Sequence, residues 1–384
     1  MQAIDFVVDT LAHFVRQREG PPPGIPAHTD ADFEQELIWL CDWHALTPIV
    51  LASLEKLALR PNISRVTLER MRALAGASRA MTKEISNVAD SLVDGFKARE
   101  VDYRLLGGLP ASRTVYPSSE LRPVETIDVL IREGQWSQTI ECCRESGFRI
   151  GAGLPVFSSG DDALGYYQHL TPCVLENESG DRLRLRMRLF NIGKPSATEP
   201  AWMSAAAGTA PAYVRLEDEL INTCVTYHMS NFGKLLHTVD IGLILNRFEA
   251  ELDWKYIDER LRSDEVYASV LFTMKRVVEW TRLGPSVVKL KYPGPAREKI
   301  FDALWNADYD SFAMRRPERT HRFRYFLFEV GRWKDKLNFF TTVMSPRPEW
   351  VAAFFGRPYR PWLKLRLVLL TLRDRVGLRP AGNP

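Results

Sequence analysis

Apolar residues recur at helical spacing from the first turn of the chain. Ile4, Val7, Val8, Leu11 and Val15 share one stripe over residues 3–18. The stretch GPPPGIPAHTDAD then interrupts the pattern with four prolines. Helical spacing returns over 31–58, with Phe33, Leu37, Leu40, Leu51 and Leu54 inward, and Pro48 predicts a kink or a junction. Residues 64–99 read as a long helix, with a break expected near Gly76.

The period changes at Val101. VDYRLLGG reads as a short strand ending in two glycines, LPASRTVY as a short helix, and TIDVLIR as a buried strand. GQWSQTIECCRESGF is an amphipathic helix closed by Gly147. GYYQHLTPCVLEN and DRLRLRMRLFN read as two further strands around the turn ESG. Such alternation predicts an α/β unit on a small mixed sheet. Helices resume near residue 216, where LEDELINTCVTYHM and LLHTVDIGLILNRF form a pair. WKYIDERLRS and EVYASVLFTMKRVVEWTRLG continue the bundle, and residues 296–344 are helical and increasingly basic. The expected segments are a helical N-terminal region (1–100), an α/β core (101–195), a helical bundle (212–310) and a basic helical C-terminal region (311–384).

Within this pattern Asp128 stands out, a carboxylate set between apolar neighbours of a buried strand. Its charge is costly there unless a metal ion, a basic side chain or water compensates it. The composition, 45% hydrophobic and 26% charged, is that of an ordinary globular protein. The net charge of +3 conceals an asymmetry: residues 315–379 carry 16 Lys and Arg against 5 Asp and Glu, leaving the rest 8 negative. The five cysteines lack metal-ligand spacing and read as packing in a reducing compartment. The N-terminal residues include Asp5 and Asp9 and no basic run, and no apolar stretch approaches the length of a membrane span. A cytoplasmic location is expected.

The order of motifs carries a resemblance. LLGG, VYPSSELRPVETIDVLI, RLRMRLFN and DELINTCVTYHM…LLHTVDIGLIL together resemble a bacterial family of largely uncharacterised nucleotidyltransferases of the DNA polymerase beta-like superfamily, over roughly residues 35–290. Tyr116, Leu121, Arg122, Pro123, Ile127, Asp128, Leu130, His228, Asp240 and Ile241 match in type and spacing. The resemblance implies an α+β fold, a polymerase-beta-like core with a small mixed sheet flanked by N- and C-terminal helical segments. It also implies a nucleoside triphosphate and Mg²⁺ as ligands. In that superfamily two carboxylates two residues apart share one strand face, and a third on the neighbouring strand completes the site for divalent ions.

Here the pattern departs. Thr126 stands at the first carboxylate, Glu125 at the preceding glycine, Arg184 at the third carboxylate, Arg186 at a histidine and Gly107 at a lysine. Asp128 alone is retained, as the catalytic and metal-binding candidate. Arg182, Arg184, Arg186 and Arg188 share one strand face, so an Arg184 or Arg186 guanidinium is expected to pair with Asp128 where an ion would sit. Mg²⁺ is disfavoured by that charge. Gly107, Gly108 and Ser112 are the candidate phosphate contacts, with Arg184 and Arg186; Arg122, Thr126, His228, His237 and Asp240 are candidate cleft residues, the histidines also readable as helix packing.

Two readings follow. In one, the fold has lost transfer chemistry and serves as a binding subunit of a bacterial biosynthetic pathway, holding a nucleotide, another anion or an acidic protein or peptide partner. The alternative is a divergent enzyme moving a nucleoside monophosphate to a small molecule, sugar or peptide. Separately, residues 350–379 interleave aromatic and basic residues. A docked terminal helix, peripheral contact with the inner membrane face, and a protein partner all fit that composition, while no nucleic-acid module accompanies it.

Overall fold

In the computed structural model, the N-terminal apolar stripes fold as four helices, α1 (Ala3–Arg16), α2 (Ala31–Trp43), α3 (Thr47–Lys56) and α4 (Arg65–Ala98). The structure describes residues 2–17, 29–57, 63–151, 157, 173–187, 189, 213–230, 232–263, 266–284, 288–290, 348–355 and 358–376. Pro48 lies in the first turn of α3, where a missing N–H costs nothing, so residues 31–58 form two helices with a junction before the proline. The break expected near Gly76 is absent, and α4 runs unbroken for 34 residues. Leu68, Met71 and Ala75 anchor it in one core, and Ile85, Ala89, Leu92 and Phe96 in another. A single exposed glycine costs only about 1 kcal/mol, too little to interrupt a helix held on both sides.

The next elements are β1 (Tyr103–Leu106), α5 (Gly108–Thr114), β2 (Thr126–Ile131), α6 (Trp136–Glu145), β3 (Arg149–Ile150), β4 (Cys173–Glu176) and β5 (Arg182–Arg186). The strands form one sheet in the order β1-β2-β5-β4-β3. β2 and β5 run parallel and the other pairs antiparallel, so the sheet is mixed. Gly147 follows α6 with φ +84°, closing it as its position in the sequence predicts. The first part of GYYQHLTPCVLEN and all of 296–344 lie outside the described residues.

Helices α7 (Leu216–Met229), α8 (Leu236–Arg247), α9 (Trp254–Ser263) and α10 (Tyr267–Thr281) follow, then α11 (Pro348–Phe355) and α12 (Pro361–Val376). The fold is α+β, a mixed sheet flanked by helices. Strand alternation divides the sheet's side chains between two environments. Ile127, Val129 and Ile131 of β2 and Leu183 and Leu185 of β5 join α4 and α6 in one core. On the opposite face, Leu106 and Leu130 join the core shared by α1–α3 and α7–α10. Asp128, Arg184 and Arg186 fall on that second face.

Candidate functional site

The site grows from the register of β2 on β5. Asp128 lies opposite Arg184, and Leu130 opposite Arg186. The period of two therefore sends the carboxylate and both guanidiniums to one face. The ion pair expected of Arg184 or Arg186 is formed by both. Arg184 Nη1 and Arg186 Nη2 each lie 3.1 Å from Asp128 Oδ1. Arg186 also donates from Nη1 to Asn222 Oδ1 of α7 at 3.0 Å, tying the sheet to that helix. Its Nε is buried with no hydrogen-bond partner among the described residues. Asp128 itself is nearly buried, whereas a third of the Arg184 side chain is open to solvent.

Gly107, between β1 and α5, has φ +75° and ψ −138°, a conformation that glycine adopts without strain and other residues do not. A Cβ here would also approach Asp128 Oδ2 to 3.3 Å. Its amide, the group the sequence offers to a phosphate, donates instead to Glu219 Oε2 of α7 at 2.9 Å. Thr223 donates to the other oxygen of Glu219 at 3.1 Å. Burial pushes the Glu219 carboxyl up to about 7, although the hydrogen bonds from Gly107 and Thr223 pull the other way. Gly108 has a different cause: a Cβ would lie 2.2 Å from Arg122 Nη1.

Arg122 is not an open cleft residue. Its Nε and Nη2 donate to Asp240 Oδ1 and Oδ2 of α8 at 3.1 and 2.8 Å, a two-point pair with both partners buried. Tyr116 donates to the same Oδ1 at 2.8 Å, and His237 Nδ1 lies 3.4 Å from Oδ2. Burial alone would raise the Asp240 carboxyl, but Arg122, helped by His237, holds it well below the usual carboxylate range. His228 is buried edge-on against Phe232 and Phe272. Ser112 is buried too, its hydroxyl donating to the Leu109 carbonyl at 2.8 Å. Of the residues singled out from the sequence, Asp128, Arg184, Arg186, Thr126 and Gly107 gather at the sheet. Arg122 and His237 gather separately, around the Asp240 carboxylate.

The donor set does not suit Mg²⁺. That ion takes near-octahedral oxygen ligands, commonly more than one carboxylate. Here the one strand carboxylate already faces two guanidiniums, with Thr126 and Arg184 at the other expected positions. Two carboxylates close in sequence are engaged elsewhere: Glu125 with Lys234 at 2.9 Å, and Asp181 with Asn177 at 2.7 Å in the β4–β5 turn. Among the described residues no group of three His, Cys, Asp or Glu could hold a metal ion.

Glu219, Asn222 and Thr223 are the participants that sequence reasoning passed over. Their signal was present as a polar stripe at spacing i, i+3 and i+4 in a helix whose intervening positions Leu220, Ile221, Cys224 and Val225 are apolar and buried.

Residues 30–282 match the model of a family described as uncharacterised nucleotidyltransferase. Neither a curated protein nor a solved structure matches the chain. The matched span is well over half of the sequence and takes in the whole sheet, the Asp128 site and the Arg122–Asp240 pair. The chain therefore belongs to the family of uncharacterised nucleotidyltransferases.

Proposed function

We propose that this member of the family is a binding protein in which the transfer chemistry of the polymerase-beta-like superfamily has lapsed, and that its Arg184–Arg186 face holds an anionic group of a nucleotide or similar ligand as part of a bacterial biosynthetic system. The observation that carries the reading is the sharing of one Asp128 oxygen by two guanidiniums. Two positive charges against one negative leave a surplus positive charge on the sheet face, and a third of the Arg184 side chain is open to a ligand from solvent. A guanidinium presents donors in a planar fork that matches phosphate and carboxylate oxygens, and it does so without a metal bridge. Phosphates bound in this way would need no Mg²⁺, and a nearby Mg²⁺ would be repelled.

Titration calorimetry with ATP, GTP, CTP and UTP, each with and without Mg²⁺, tests the proposal on the full chain. Binding that ignores Mg²⁺ and weakens roughly 10- to 100-fold in Arg184→Ala, the scale of one lost charge-assisted hydrogen bond, is the expected result. Binding that requires Mg²⁺ and disappears in Asp128→Ala would overturn it in favour of an active transferase. Absence of binding to all four nucleotides would overturn the nucleotide assignment.

A further inference from the structure

The C-terminal helices make a small core of their own. Val351 of α11 and Leu363 and Leu367 of α12 are buried together, with Phe355 packed against them. That contact uses one side of α12. A second apolar stripe, Trp362, Leu365 and Leu369 at spacing i, i+3 and i+7, remains exposed at 48, 62 and 57%. Tyr359, just before the helix, is exposed as well. Seven large hydrophobic residues are exposed among the described residues, and four of them fall within this one short stretch. Clustering on that scale marks a contact surface rather than scatter.

Charge identifies the kind of surface it meets. Residues 357–375 carry six Lys and Arg against one Asp. Arg366 lies on the exposed stripe itself, its guanidinium 5.5 Å from the Phe355 ring centre, and Arg360 is exposed beside Tyr359. An aromatic residue and two leucines with basic residues alongside suit the boundary between acyl chains and anionic headgroups. A protein groove would bury the leucines equally well, but it would not call for a positive excess spread along the whole segment. No described helix is long and apolar enough to cross a membrane, so contact would be with one leaflet, with α12 lying in its plane.

We infer that α12, through Trp362, Leu365 and Leu369 and the surrounding Lys and Arg residues, seats the protein on an anionic lipid surface. This is independent of what binds at Asp128. Co-sedimentation of the full chain with vesicles of phosphatidylcholine alone, and of phosphatidylcholine mixed with phosphatidylglycerol, provides the test. The expected result is pelleting with the mixed vesicles, weakened by added salt and lowered about tenfold or more in the triple variant Trp362→Ser, Leu365→Ser, Leu369→Ser. Because those side chains are exposed, the variant should retain its wild-type urea midpoint. Arg360→Glu with Arg366→Glu provides a second variant, expected to abolish the preference for anionic vesicles. Failure of the wild type to pellet with either vesicle would overturn the inference. So would pelleting that the triple variant leaves unchanged, or a vesicle-free dimer that the triple variant dissolves, which would assign the stripe to a second copy of the chain.

Discussion

A carboxylate and a guanidinium that are both almost fully buried, as Asp240 and Arg122 are, remain charged because each satisfies the other at two points and Tyr116 completes the shell. Removing one member strands the other. Arg122→Ala is expected to destabilise the protein by about 3–5 kcal/mol. Arg122→Lys should recover little of that, since an ammonium cannot reproduce the fork. Urea unfolding of the variants measures both, and a loss below about 1 kcal/mol for Arg122→Ala would refute the clamp. Asp128 is the contrasting case, one carboxylate against two arginines with part of Arg184 in solvent. The first pair is closed to solvent, and the second is open on its Arg184 side. Both members of each pair were visible in the sequence. Strand alternation was enough to place Arg184 and Arg186 beside Asp128. The partner of Arg122 lies in a helix 118 residues further on, and no local pattern could name it.

At the scale of elements, α4 shows how little a propensity rule weighs against packing. Gly76 suggested a break, yet it sits exposed in a continuous helix with open space where a Cβ would go. Gly76→Ala is therefore expected to raise stability by about 0.5–1 kcal/mol, read as a higher urea midpoint at unchanged slope. Elements with a clear period, such as β2, β5 and α1, were legible from the sequence. α7 was legible as a helix but not as a wall of the site. Its acidic first turn, Glu217, Asp218 and Glu219, looks like ordinary charge at a helix N-terminus. Only the fold separates the three. Glu217 pairs with Arg215, Asp218 is buried against Arg260, and Glu219 takes the Gly107 amide.

At the scale of the whole molecule, that last contact makes stability depend on pH. The Glu219 carboxyl ordinarily titrates near 4.5 and is pushed up to about 7 in the folded chain, chiefly by burial. The folded state therefore holds this proton more tightly than the unfolded state does. Its contribution to stability is fully present below 4.5 and is lost as pH rises through 7. Glu219→Gln should flatten that fall and leave the protein more stable than wild type by on the order of 3 kcal/mol at about pH 8. Urea midpoints at about pH 5 and pH 8 decide the matter, and a variant that keeps the wild-type slope would absolve Glu219. The Arg122–Asp240 pair has a further consequence, one that concerns time. Arg122 leaves the ribosome 118 residues before its partner. At about 5–20 residues per second, the nascent α/β segment waits roughly 6–24 s with a guanidinium it cannot bury, so the side of the loop that carries Arg122 stays open to water until α8 emerges.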